Sequence, residues 1–451
     1  MSEKILIAKV YGNNKFFDKR GNIAEFKISD SEESVIEVFK DNVIQENIKG
    51  IKYFILKDGS FYGIYNVYNS AIISTQYRIG SVLSYKLQPS LILKGWFETG
   101  NYNSLKISNL SFAFDNSKIW FEHPIPAEKS SHCKIPDLDR TEITFVNTNT
   151  IRENYHLSND TKIKISSDVK YMHPKLNGVS LQRSDPCISL SFPKSVNFGT
   201  AIRELTKFQL LFTLAYHKNV RVLRSSCMLD TKVPPEINPW QEISMKWLGN
   251  SKPRSNIYPW EMIFTKSSIE KSKYTTFEKF YDNYSNFYDK YELIFTDFII
   301  NRFYKETSFL GPNEFRCITN FFDACYSEKT FMEKIKESIN QNNDLYNEFL
   351  TIEQIEILTE HSIEKLKGKD KKNNYSDIVA KIIKDQRTLY LHGDYDKIKN
   401  RPTYIKPHKL SILCDKLSGI IEVIILKKLG FDSDISKKIL PHVNVSEVSY
   451  I

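Results

Sequence analysis

The chain has 451 residues, too many for one ordinary core and suited to two or three domains of usual size. A hydrophobic fraction of 41% and a charged fraction of 26% exclude wholesale disorder. A net charge of +9 favours a polyanionic partner, because basic surface attracts phosphate backbones and releases their counterions.

From the start, Met1-Ser2-Glu3-Lys4 leads into an apolar run over 5–10, interrupted by Lys9, that reads as a strand and not as a signal-peptide core. Over the first 240 residues, short alternating segments recur between turn signals, which is the pattern of a sandwich or barrel. Tyr53-Phe54-Ile55-Leu56, Asp58-Gly59 and Phe61-Tyr62-Gly63-Ile64-Tyr65 predict a hairpin whose glycine supplies the turn. Leu110, Phe112 and Phe114 alternate up to Asp115-Asn116-Ser117, after which Ile119 and Phe121 are expected to resume a strand. Further strands are expected over 162–165 and 187–192.

From 201 to 216 the period changes. Ile202, Leu205, Phe208, Leu211, Phe212 and Ala215 fall at three- and four-residue steps and predict a core-facing helix. A strand over 220–223 is expected to close a β-rich domain spanning 1–228. Val233-Pro234-Pro235 and Asn238-Pro239-Trp240 then mark a linker over 229–262, in which Trp240, Trp247 and Trp260 are expected to pack against a domain. His123, His132 and Cys133 lack metal-ligand spacing, so no metal and no cofactor is expected.

Residues 263–445 read as all-helical. Thr275-x-x-Glu278 looks like a capping box opening a helix with the stripe Phe277, Phe280, Tyr281, Tyr284, Tyr288, Tyr291 and Phe295. A second helix follows Gly311-Pro312, with Phe315, Ile318, Phe322 and Cys325 on one face and Asp323 beside them. A third covers 331–339, and a fourth follows Thr351, carrying Ile355, Ile357, Leu358 and Ile363. After a lysine-rich loop, Ser376 is expected to cap a helix bearing Ile378, Val379, Ile382, Ile383 and Leu389, ended by Gly393. The last strong helix, about 409–429, has a seam of Leu410, Leu413, Leu417, Ile420, Ile421 and Ile424. That seam can bury within the chain or pair with a second copy.

The six cysteines have no paired spacing and read as buried thiols of a reducing compartment. No uncharged run reaches the roughly 18 to 20 residues that a membrane span requires. A cytoplasmic protein without a membrane partner is expected.

Against this apolar background stands Arg387-Thr388-Leu389-Tyr390-Leu391-His392-Gly393-Asp394. Metal-free RNA cleavage needs these residue types: imidazole titrates near neutrality and can move the 2′-hydroxyl proton, while guanidinium holds the phosphate. Lys365, Lys367, Lys369, Lys371, Lys372, Lys397, Lys399 and Arg401 flank the pair and are candidate contacts for RNA backbone. On a straight helix five steps of about 100° set Arg387 and His392 roughly 140° apart. They meet only if the helix loosens near Gly393 or a partner protomer completes the site.

These residues, at the end of a helix in a helical domain, resemble the HEPN superfamily, whose ribonucleases carry an R-x(4 to 6)-H motif there. The α+β, multidomain order, a sandwich- or barrel-like first half and an all-α second half, resembles the ApeA anti-phage family in particular. The resemblance implies that Arg387 and His392 are the catalytic pair and that Asp323, in Phe321-Phe322-Asp323-Ala324, is the acidic residue of an earlier helix. It also implies metal-independent endonucleolytic cleavage of RNA, tRNA in particular, leaving a cyclic phosphate, by a homodimer with two motifs facing one cleft. The first half would then sense a phage-derived trigger in abortive infection. Thr388 departs from the Asn, Asp or His often found after the arginine. A non-catalytic nucleotide-, RNA- or protein-binding HEPN module is the alternative; a carbohydrate-active protein lacks paired carboxylates at a readable spacing.

Overall fold

The computed structural model describes residues 4–11, 22–28, 35–40, 53–57, 60–77, 80–94, 105–121, 130–134, 142–146, 151–167, 169–172, 180–183, 185–230, 239–245, 261–304, 311–325, 329–343, 345, 347, 350–367, 374–393, 395–431 and 438–439; through residue 91 it describes the backbone alone. The chain divides into two compact units: Met1–Phe212 with Val220–Pro259, and Thr213–Asn219 with Trp260–Ile451.

In the first unit, β1 (Lys4–Tyr11), β2 (Asn22–Ile28), β3 (Val35–Lys40), β4 (Tyr53–Lys57), β5 (Ser60–Tyr77) and β6 (Gly80–Lys94) pair antiparallel in the order β6-β3-β2-β1-β4-β5, and β5 returns to β6. The ring is closed, which removes unpaired strand edges. The expected hairpin is β4–β5, with Lys57 opposite Ser60.

From β6 the sheet continues through β16 (Trp240–Met245), β15 (Val222–Leu229), β7 (Lys106–Phe114), β14 (Cys187–Asn197) and β11 (Lys162–Ser167) to β10 (Ile151–His156). Two small ribbons, β8 (Ser130–Lys134) with β9 (Glu142–Val146) and β12 (Val169–Met172) with β13 (Ser180–Arg183), stand apart from it in pairing. Leu110, Phe112 and Phe114 of β7 are fully buried, as their alternation requires. They meet α2 (Phe198–Tyr216): Phe112 lies 5.4 Å from Phe208 and Phe114 5.3 Å from Phe212, ring centre to ring centre. Each buried aromatic stabilises this layer by about 1.5–3 kcal/mol.

Three local expectations change here. Ile119 and Phe121 do not resume a strand; Asn116 adopts a left-handed conformation (φ 59°), the Ser117 hydroxyl donates to the Phe114 carbonyl, and the chain turns into a short helix, α1 (Ser117–Trp120). The strand expected at 220–223 begins later and runs on, as β15, because the Asp115 carboxylate accepts from the Arg221 amide and Gln209 donates to the Val220 carbonyl. The expected linker over 229–262 contains β16, which pairs with both β15 and β6, so Trp240 begins a strand. Trp247 and Trp260 lie outside the described residues, as does His123.

The second unit contains α3 (Lys266–Glu270), α4 (Phe277–Ile299) running into a π-helical turn (Ile300–Tyr304), α5 (Pro312–Cys325), α6 (Phe331–Gln341), α7 (Ile352–Thr359), α8 (Ile363–Lys367), α9 (Tyr375–His392), α10 (Tyr395–Ile398) and α11 (Pro407–Lys428). The α4 stripe is buried at Phe277, Phe280, Tyr281, Tyr284, Tyr288 and Phe295. Tyr291 leaves it, because its own backbone is non-helical (φ −122°, ψ 18°) and kinks the helix. The N-cap is Thr276, accepting from the Lys279 amide, one residue later than the capping-box reading, since Thr275 is left-handed. The fourth expected helix is two: Glu360 turns left-handed (φ 60°) and ends α7, Ile363 opens α8, and Ile357 is exposed.

Helix α11 is the axis of this unit. Leu410, Leu413, Leu417, Ile420, Ile421 and Ile424 are buried, and so are Asp415, Lys416 and Glu422 on its other faces. A helix buried all round belongs inside a bundle; the seam is therefore an internal surface and is not free to pair with a second copy. Its buried charges are paired. Glu422 accepts from the Arg302 Nε at 2.9 Å and lies 2.6 Å from the His217 Nε2, and Arg302 also pairs with Asp415. Burial opposes ionisation of Glu422, but the His217 and Arg302 side chains overcome it and hold its carboxyl at about 2.

Candidate active site

Helix α9 carries the Arg387/His392 motif. Asn374 caps it, accepting from the Asp377 amide, while the Asp377 carboxylate accepts from the Asn374 amide; Ser376, expected as the cap, instead donates its hydroxyl to Asn374. Ile378, Val379, Ile382, Ile383 and Leu389 are buried and seat the helix. Gly393 ends it in the left-handed region (φ 69°), donating its amide to the Leu389 carbonyl at 2.9 Å. The helix is regular through His392, so the loosening that would bring the two motif residues onto one face does not occur.

Two neighbours fix Arg387. Its Nη2 donates to Asp323 Oδ2 at 2.8 Å, and its guanidinium lies 4.4 Å over the Phe331 ring of α6. The other Asp323 oxygen accepts from Lys334 Nζ at 2.7 Å, and the same ammonium reaches the Asp323 carbonyl at 2.9 Å. Asp323 thus joins one cation from α9 to one from α6. The Arg387 Nε is enclosed without a hydrogen-bond partner, and the side chain retains 24% exposure, enough for one end to meet a ligand. Thr388 turns its hydroxyl onto the Lys384 carbonyl at 3.0 Å, a bond back to its own helix. His392 is the last residue of α9; its side chain lies outside the described residues.

Helix α5 grips α9 at a second point, where Arg316 Nε donates to the Tyr390 carbonyl at 3.0 Å. The neighbouring Tyr390 ring packs against Phe315, and burial pushes its phenol above the ordinary tyrosine range. The base of α9 is fixed separately: Gln386 donates to the Thr403 carbonyl, and buried Asp385 pairs with Arg401 at 2.7 Å. Arg401 therefore has a structural partner. Lys399 pairs with Asp396 at 2.9 Å, Lys365 is exposed beside His361, Lys367 is half-buried and Lys397 is exposed. Lys369, Lys371 and Lys372 lie outside the described residues.

The sequence reading missed Phe331, Lys334 and Arg316. Arg316 was open to detection, since it stands seven residues before Asp323 and so on the same face of α5. Phe331 and Lys334 gave no signal, because only packing brings α6 to α9. Among the described residues no cluster of His, Cys, Asp or Glu could hold a metal ion, and no helix is long and apolar enough to cross a membrane. Of the thiols, Cys227 and Cys414 are buried and free, and burial pushes Cys227 up to about 12.

An antiparallel β-rich unit followed by a helical bundle, with an arginine–histidine pair closing one long helix, is the build of a HEPN protein with an N-terminal accessory module. Family models agree with this division: ApeA N-terminal domain 1 matches residues 16–277, and Apea-like HEPN matches 273–435. The first match alone covers more than half of the chain, and the chain belongs to the ApeA family. Comparison with curated proteins and with solved structures found no match.

Proposed function

We propose that the protein is a metal-independent endoribonuclease of anti-phage abortive infection, cleaving tRNA or other cellular RNA, with its N-terminal unit sensing the infection. The observation that carries this reading is the fixing of Arg387. A helical arginine that needed only a surface ion pair would not be held at once by Asp323 and by the face of Phe331, with the other oxygen of that carboxylate fixed by the Lys334 ammonium. Such preorganisation is what a group stabilising transition-state charge requires.

In the proposed reaction His392 takes the proton of the substrate 2′-hydroxyl. The 2′-oxygen forms its bond to phosphorus, the bond from phosphorus to the 5′-oxygen breaks, and that oxygen leaves with a proton drawn from water while His392 returns its own to solvent, so a 2′,3′-cyclic phosphate remains. Arg387 neutralises the charge that accumulates on the phosphoryl oxygens. Because α9 stays regular through His392, the two residues of one copy stand roughly 140° apart around the helix axis. A homodimer in which each copy lends part of its motif to a shared cleft resolves this.

The test is expression of the wild type, Arg387→Ala and His392→Ala in bacteria, with total RNA inspected after phage infection and folding checked by circular dichroism. RNA breakage is expected in the wild type alone and is expected to persist with a chelator present. Unchanged breakage in both variants refutes the site; an intact RNA pool with the wild type favours a non-catalytic binding module.

A further inference from the structure

We infer that Arg316 is a second phosphate-binding arginine of this site, contacting the RNA backbone beside the end of α9; the inference rests on the ribonuclease reading above. Its geometry differs from that of an ordinary surface arginine. One N–H, on Nε, is committed to the Tyr390 carbonyl, an acceptor in the last turn of α9 that no later residue of the helix satisfies. That bond fixes the direction of the guanidinium plane. The side chain is exposed, and its two η nitrogens have no partner among the described residues. A guanidinium anchored through Nε, its η groups without a partner among the described residues, presents the fork that matches two phosphate oxygens.

The placement follows from the helix period. Arg316 and Asp323 are seven residues apart, two turns along one face of α5, and the two helices meet antiparallel, with Asp323 opposite Arg387 and Arg316 opposite Tyr390. Two turns of helix rise about 10 Å, so the two positions are separated along the face and do not crowd one point. The α5 face therefore offers one cation fixed through Asp323 and a second beside the turn that bears His392. Arg387 is largely enclosed and suited to the reacting phosphate, whereas exposed Arg316 is suited to a flanking one.

A purely structural role, capping α9, predicts a different outcome from phosphate contact, and salt dependence separates them. In the His392→Ala background, which spares the RNA, a mixed-sequence single-stranded RNA oligonucleotide is titrated at several salt concentrations. Arg316→Gln is expected to weaken binding about tenfold and to lower the slope of log K against log salt by about 0.7, the value of one single-strand phosphate contact. Arg316→Lys, which keeps the charge, is expected to restore the slope but only part of the affinity. An unchanged slope in Arg316→Gln, or failure of the parent to bind the oligonucleotide, overturns the inference.

If Arg316→Gln does not fold, the same question is put to the parent by arginine-selective labelling with p-hydroxyphenylglyoxal and peptide mass spectrometry. Protection of Arg316 by RNA is expected, and equal labelling with and without RNA overturns the inference. Cleavage by the wild type together with an unmoved slope would discard Arg316 and leave the ribonuclease reading standing. Absence of cleavage would count against that reading itself.

Discussion

Replacing Arg302 by methionine removes a guanidinium shared by two carboxylates inside the helical unit. Glu422, whose side chain is fully buried, would keep only His217, and Asp415 would lose its Arg302 contact. At an effective dielectric near 20, each charge pair at about 4 Å is worth about 4 kcal/mol before desolvation. The side chains already stand desolvated in the fold, so removing one partner of such a cluster costs about 3–5 kcal/mol. With a urea m-value of about 2–3 kcal/mol/M, that is a fall in midpoint of roughly 1–2 M. The assay is urea unfolding of the full chain followed by far-ultraviolet circular dichroism, which reports mainly on the helical unit. A triple variant, Arg302→Met with Asp415→Leu and Glu422→Met, should recover most of the loss, since apolar replacement of a whole buried ionic cluster is often neutral or better. A midpoint shift below about 0.3 M for Arg302→Met, equivalent to less than about 1 kcal/mol, would refute the view that these charges are dry and mutually dependent.

The same carboxylate sets an acid limit. Glu422 titrates at about 2 in the fold against about 4.3 when unfolded, so its contribution is complete above the unfolded value and disappears as pH falls toward 2; Glu422→Gln should flatten stability against pH between about 4.3 and 2, read by thermal unfolding in that range. Asp323→Asn should keep the helical circular dichroism spectrum yet lower RNA cleavage by about 10- to 100-fold, because Arg387 loses its charged anchor and small misplacements are costly; full activity would remove Asp323 from the site. Gly393→Ala places a Cβ where nothing lies within 4 Å but φ is +69°, so the cost is conformational strain of about 1–2 kcal/mol, not a clash. It should lower the melting temperature by a few degrees, read by differential scanning calorimetry, and reduce cleavage further than the stability loss explains by fraying the turn that bears His392.

The sequence by itself determined what depends on neighbours a few positions away. Alternation at Leu110, Phe112 and Phe114 marked a one-face-buried strand, the Phe277-to-Phe295 stripe marked α4, and Gly393 marked the end of α9, because period and positive φ are local properties. It also offered Arg387 and His392 as candidates, by residue type alone. Its misses were where a residue's partner is far along the chain or where two local signals compete: Asn116 turning the chain away from a strand, Thr276 capping in place of Thr275, β16 pairing inside the proline-rich segment. Only the tertiary structure decided that β5 returns to β6, that Asp323 meets Arg387 across 64 positions, and that Glu422 meets Arg302 across 120. The physical reason is that ion pairs between distant positions have no sequence period. Their partners are chosen by which helix faces come to lie together once the apolar stripes are buried.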